Sequence, residues 1–133
     1  MPTFSHSVTV PSWRTRPAPS GPRRPLLHRP RLADVVAGRW GRRATAIVAG
    51  AGFGKSALVA EALEANRRQP LGHDAWVGCQ EEDVRLDRLF EAIFTAVRSE
   101  APGERPVDVD DAVNRIADAV WSHAPVPVSI VLD

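Results

Sequence analysis

The chain is poor in the residues that carry most covalent, redox and metal chemistry. Of its 133 residues one is cysteine, one is methionine and none is tyrosine. A lone thiol, Cys79, excludes an internal disulfide and fits a reducing compartment. It falls in a run read as a buried strand, where a small apolar filler is expected rather than a reactive group. No stretch approaches the roughly eighteen apolar residues of a membrane span. The first thirty residues also lack the apolar core of a secretory signal, so a cytoplasmic chain is expected. His73 and His123 stand apart, with no ligand or base partner at helix spacing, and surface or loop-packing roles are expected of them. No Ser-His-Asp, Cys-His or zinc-ligand set can be assembled. Lysine is the most informative scarcity: of 17 basic side chains sixteen are Arg, and the one Lys is Lys55.

What is present divides the chain by charge. Residues 1–43 carry nine Arg against the single acid Asp34, a net +8; residues 44–133 carry eight bases against fifteen acids, a net −7. Six of the 12 prolines lie in residues 1–25, among Ser, Thr and Arg. Such a segment cannot bury enough apolar surface to order itself, and residues 1–28 read as a disordered Pro/Arg-rich tail. The rest, residues 29–133, is about one domain.

Lys55 lies in the stretch around which that domain is organised. Residues 44–49 (Ala-Thr-Ala-Ile-Val-Ala) read as a short apolar strand, Gly50, Gly52 and Gly54 punctuate a loop, and a helix-compatible pattern opens at Lys55. This strand-loop-helix order is the required context of a phosphate-binding P-loop, with Walker A at residues 49–56. The first position of the strict motif is Ala49 rather than Gly, while Gly54-Lys55-Ser56 is intact. Glycines bring backbone N–H groups close to a ligand, and the helix start adds unpaired N–H groups and a positive dipole end. The nucleotide-binding set is therefore Gly50, Ala51, Gly52, Phe53, Gly54, Lys55, Ser56 and Ala57. Lys55 would meet the β- and γ-phosphates as a slim ammonium, a role a planar guanidinium fills poorly. Ser56 would serve a Mg²⁺ held by the same phosphates. The expected cofactors are ATP and Mg²⁺.

Around the loop the pattern predicts a helix over residues 31–37 ended by Gly38, and a helix from Lys55 to about Asn66. A second strand is expected over residues 74–79. Glu81, Glu82 and Asp83 read as the cap and first turn of a helix rather than as a metal cluster. That helix carries Leu86, Leu89, Phe90, Ile93, Phe94 and Val97 on one face. After a break at residues 102–106, a further helix from about Asp110 is expected, with Val113, Ile116, Ala117, Val120 and Trp121 on one face. Residues 126–133, Val-Pro-Val-Ser-Ile-Val-Leu-Asp, close with an apolar run ending in an acid. Residues 128–133 have the form of a Walker B strand, delivering Asp133 beside the loop as the second metal ligand.

With both motifs placed, the chain resembles the start of the ATPase module of the large ATP-binding LuxR-like transcriptional regulators of the maltose-activator type. These belong to the STAND class of P-loop NTPases. The resemblance rests on Arg29-Pro30-Arg31-Leu32, on residues 47–58, on Ala75-Trp76-Val77 with the acidic stretch after it, and on residues 128–133. Two departures stand out: Gly50 where the family usually has Pro, and Ser56 where it usually has Thr. The resemblance implies an ASCE-type α/β parallel sheet with flanking helices, incomplete at the C-terminus, and ATPase activity in the parent family. A second, water-activating acid and a strand between the Walker A and Walker B strands would lie beyond Asp133. The expectation is thus a fragment with negligible turnover, without a DNA-binding domain. Two other readings share these residues. One is a partly folded, non-catalytic remnant that self-associates or acts as an interaction module through its incomplete sheet; the other is a piece of an AAA-type ATPase.

Overall fold

In the computed structural model the described residues are 29–133, and the tail read into residues 1–28 lies outside them. The order of elements is α1 (Pro30–Ala37), α2 (Lys55–Arg68), β1 (His73–Val77), α3 (Leu86–Arg98), α4 (Val109–Trp121) and β2 (Val128–Leu132). Short 3-10 turns occupy Gly38–Gly41 and Glu81–Val84. The architecture of the described residues is α/β: four α-helices and one two-stranded parallel sheet.

Parallel strands cannot be joined by a tight turn, and here α3 and α4 form the crossover from β1 to β2. The register pairs His73 with Val128 and Val77 with Leu132. Ala75, Val97 and Ala119 form the buried centre, with Ile93, Phe94, Val120 and Val128 packed against it. A two-stranded sheet is marginal alone, and this helical cover stabilises it. On the opposite face Asp74, one residue out of phase with Ala75, meets Asn66 of α2. Strand alternation thus puts α3 and α4 on one side of β1 and the end of α2 on the other.

The helices start and stop for local reasons. Pro30 opens α1, where its missing N–H costs nothing. In α4 the Asp108 carboxylate accepts from the backbone N–H of Asp111 at 2.8 Å, and Asp110 and Asp111 sit in the first turn. α2 runs two residues past the expected Asn66 to Arg68, since Arg67 and Arg68 both reach Glu64 on the preceding turn, at 3.2 and 3.3 Å. It stops where Pro70 forces Gln69 out of the helical region.

Four expectations need correction. Residues 44–49 form no strand: they have no ladder partner among the described residues, and Val48 is 92% exposed. Strand character needs a neighbour, and among the described residues β2 pairs only with β1. β1 ends at Val77 rather than at residue 79, so Cys79 is exposed rather than buried. The acidic triplet lies in its own 3-10 turn; α3 begins after Arg85, which is extended and offers no side-chain cap, and the acid in its first turn is Asp87. Of the expected face of α4, Ile116 and Val120 are half-buried, Val120 against the buried centre, while Val113, Ala117 and Trp121 are exposed; its fully buried residues are Ala112 and Ala119. Small side chains let α4 approach α3 and the sheet closely, a preference that counting large apolar residues misses.

Between β2 and the unpaired stretch before the loop lies a cavity of about 650 Å³. One wall is residues 128–133 without interruption, the other residues 42–45 with Ile47, and Val59, Ala62 and Leu63 of α2 form its floor.

Candidate functional site

The glycine-rich loop and the end of β2 meet where the sequence reading places them. Gly52 and Gly54 both take positive φ, 80° and 81°, a region that L side chains enter only with strain. Gly54 caps α2 without any side-chain acceptor, and no acid occupies the first turn. The bond from Leu58 N–H to the Gly54 carbonyl, at 3.0 Å, is the first of the helix. The N–H groups of Lys55, Ser56 and Ala57 therefore precede the helical ladder and are available to an anion, with the positive end of a 14-residue helix dipole behind them.

Lys55 folds back over the loop. Its ammonium donates to the carbonyls of Ala49 at 2.7 Å and Gly50 at 3.0 Å. The charge is thus held at the loop by two neutral carbonyls, weaker partners for an ammonium than an anionic oxygen. Ser56 Oγ, on the next residue, donates to the Asp133 carboxylate, 3.0 Å from Oδ1 and 2.9 Å from Oδ2. Asp133 is fixed in turn by β1: its N–H donates to the Val77 carbonyl at 3.1 Å and its carbonyl accepts from Cys79 N–H at 2.7 Å. A hydroxyl and a carboxylate converging from elements 77 residues apart make a hard-oxygen pair of the kind Mg²⁺ prefers, and both remain solvent-accessible.

Two features of the loop were not legible in the motif. Arg29, just before α1, donates from Nη1 to the Phe53 carbonyl at 3.2 Å and ties the loop tip to the first helix. The Phe53 ring, 64% exposed overall, lies over Gly50, so a Cβ at residue 50 would come within 3.2 Å of its edge. Gly50 therefore makes room for Phe53, a packing reason for glycine at a position where the resembling family usually carries proline. Gly50, Ala51, Gly52, Phe53 and Gly54 are exposed, and Lys55 and Ala57 are half-buried.

Away from the loop, Asp74 at the start of β1 is gripped by Arg39. Arg39 Nε and Nη2 donate to the carboxylate at 2.8–3.1 Å, and Asn66 Nδ2 donates to it at 2.8 Å. The Arg39 guanidinium also lies 4.4 Å from the Trp40 ring centroid. This network locks α1, α2 and β1 together. Its partners are 35 residues apart, and no local pattern announces it. The two histidines, read as isolated, stack on each other with centroids 4.8 Å apart, and His123 Nε2 donates to the Val97 carbonyl at 2.8 Å. They pack the lower end of the sheet against α3 and α4.

Among the described residues no group of three or more His, Cys, Asp or Glu could hold a metal ion, and no helix is long and apolar enough to cross a membrane. Comparison of the chain with protein-family profiles, curated proteins and solved structures found no match.

Proposed function

We propose that the chain binds a nucleoside triphosphate with Mg²⁺ through a P-loop formed by residues 49–57 together with Asp133. The observation that carries this reading is the contact between Ser56 Oγ and the Asp133 carboxylate at 2.9–3.0 Å. Two motifs far apart in sequence meet at hydrogen-bonding distance, next to the one lysine and the uncapped start of α2. The backbone N–H groups of residues 50–57 would receive phosphate oxygens. Lys55 would exchange its carbonyl partners for the β- and γ-phosphates, and Ser56 and Asp133 would hold the metal. Mg²⁺ supplies charge neutralisation at the phosphates. The Ser56 hydroxyl and the Asp133 carboxylate fit it as hard oxygen donors.

The wider assignment also belongs to this proposal: the N-terminal part of an ASCE/STAND-type ATPase module of a LuxR-like transcriptional regulator, cytoplasmic, with adenine as the base. It is supported by the motifs at residues 29–32, 47–58 and 128–133. A P-loop ATPase of the AAA type would use the same site residues.

Equilibrium binding of a fluorescent ATP analogue, with and without Mg²⁺, tests the site. The expected result is saturable binding that Mg²⁺ strengthens. Lys55→Ala should weaken it at least about tenfold, since a charge-assisted phosphate contact contributes roughly 1.5–3 kcal/mol. Binding indifferent to Lys55 would refute the reading.

A further inference from the structure

Each N–H group of the glycine-rich loop belongs to a planar peptide unit, so whatever holds the unit's carbonyl also fixes where the N–H points. Gly54 is left-handed, at φ 81° and ψ 28°, and Lys55 after it is helical. A left-handed residue followed by a right-handed one turns three successive N–H groups, here those of Gly54, Lys55 and Ser56, into one concavity that suits an anion. Two of the three are held by α2 itself. The N–H of Lys55 shares a peptide with the Gly54 carbonyl, which accepts from Leu58 N–H at 3.0 Å. The N–H of Ser56 shares one with the Lys55 carbonyl, inside the helix. The N–H of Gly54 lies outside this ladder: its peptide carries the Phe53 carbonyl, which accepts no backbone N–H among the described residues.

Arg29 holds that carbonyl, donating to it from Nη1 at 3.2 Å. The arginine is itself fixed at the backbone. It is the N-cap residue of α1, and its own carbonyl accepts from the N–H groups of Leu32 and Ala33, both at 3.0 Å. α1 in turn buries Val36 and packs against α2, the helix that the loop opens. The guanidinium therefore reaches the loop from a braced position. The Phe53–Gly54 peptide is trans, so its C=O and N–H point in opposite directions, and a donor on the carbonyl aims the Gly54 N–H to the other side of the chain. A charged donor on the carbonyl also polarises the unit, which strengthens the N–H at its other end. Glycine makes such a hold worthwhile, since a residue without a Cβ lets its peptide swing between orientations.

We propose that Arg29 is a positioning residue of the phosphate site: it aims and polarises the Gly54 N–H and does not touch the ligand. The inference rests on the reading of residues 49–57 as a P-loop. It concerns the phosphate chain alone, so a nucleoside triphosphate and inorganic tripolyphosphate should depend on Arg29 alike.

Binding of the fluorescent ATP analogue, its displacement by inorganic tripolyphosphate, and amide NMR spectra of the full chain test it together. Arg29→Met keeps most of the stem and deletes the donors, so affinity for both ligands should fall about three- to tenfold, as the net worth of one hydrogen bond implies. Arg29→Lys keeps a charged donor and should recover part of the loss. Arg31→Met removes the same charge from the exposed first turn of α1 and should change affinity little. In the parent chain tripolyphosphate should shift the amides of Gly54, Lys55 and Ser56. In Arg29→Met the Gly54 shift should be lost and the Ser56 shift should remain, with the β1 amides reporting that the fold is intact. Unchanged affinity in Arg29→Met, while Lys55→Ala still loses binding, would overturn this role and leave the P-loop reading standing. An equal loss in Arg31→Met would reduce the effect to general charge, and a loss confined to the ATP analogue would place Arg29 on the base; either overturns the proposal. Binding in the parent chain that ignores Lys55 would refute the P-loop reading, and the role of Arg29 would fall with it.

Discussion

Removing the Arg39 guanidinium should cost a large share of the fold's stability, although Arg39 belongs to none of the motifs read in the sequence. Both partners of the Arg39–Asp74 pair are about 10% exposed, and the geometry is forked, with Nε and Nη2 both on the carboxylate. Arg39→Met keeps most of the stem's volume over Trp40 and deletes every guanidinium donor. Asp74 is then left buried with only the Asn66 amide, at 2.8 Å. Breaking a buried pair from one side costs about 3–5 kcal/mol, because the surviving charge stays desolvated. With a urea slope of about 2 kcal/mol/M, the unfolding midpoint should fall by roughly 1.5–2.5 M. Arg67→Met is the control: it removes the same charge from an exposed pair with Glu64, at 3.2 Å, and should cost under about 0.5 kcal/mol. Arg39→Lys, which keeps the charge but loses the fork, should fall between the two. Urea titrations followed by far-UV circular dichroism measure all three. Equal, small shifts for Arg39→Met and Arg67→Met would refute the claim that this network holds α1, α2 and β1 together.

Other outcomes follow from the backbone and from charge. Gly72→Ala should strongly reduce folded yield, because a Cβ there would lie 2.5 Å from the Pro127 carbonyl oxygen and from the Trp40 ring. Gly41→Ala, with open space around it, should leave yield and melting temperature unchanged. Gly54→Ala meets no atom but must adopt φ near 81°, so it should lower stability by about 1–2 kcal/mol in thermal melts and weaken nucleotide binding further. The Asp87 carboxyl is held below its ordinary range. Partial desolvation works against this and is outweighed by Arg85 and Arg105 beside it and by the Arg88 backbone N–H. A depressed carboxylate stabilises the fold above its unfolded value near 3.9 and loses that contribution as pH falls through its folded value. Asp87→Asn should therefore flatten the acid limb of a stability-versus-pH curve below about pH 4, and an unchanged limb would contradict this.

The parts of the fold legible in sequence were those set by neighbours in the chain. Gly38 ends α1, Pro70 stops α2, and the helical spacing of Leu89, Phe90, Ile93 and Val97 marks α3. The meeting of the loop with Asp133 was legible because Gly54-Lys55-Ser56 and an apolar run ending in an acid are patterned in residue type as well as in spacing. What escaped depends on partners remote in sequence. Whether residues 44–49 become a strand is decided by what lies beside them, and their own Ile47 and Val48 do not settle it. Cys79 looked buried because an apolar run was extended past the last ladder pair. The face of α4 was misread in part because Ala112 and Ala119 pack by being small, and His73 and His123 looked isolated because fifty residues separate two rings that stack.

The two halves of the candidate site should fail separately, because different elements hold them. The loop and Lys55 are built on the start of α2, whereas Asp133 is placed by β2, whose one ladder partner among the described residues is β1. Val77, 1% exposed, anchors that partnership from the buried face, and its carbonyl receives the Asp133 N–H. Val77→Ala leaves every loop atom in place but removes buried methyl groups from the end of β1, at a cost on the order of 2 kcal/mol. The strand end should loosen, and Asp133 should no longer meet Ser56 at 2.9–3.0 Å. On the proposed function, Val77→Ala should then shrink the Mg²⁺-dependent part of nucleotide affinity and spare the Mg²⁺-free part, which rests on Lys55 and the N–H groups of α2. Lys55→Ala should reduce both. Titrations of each variant with and without Mg²⁺ separate these patterns. If Val77→Ala and Lys55→Ala lowered both components alike, in proteins that remain folded, loop and strand would be acting as one unit, and the division of labour drawn from Asp133's backbone bonds would be wrong.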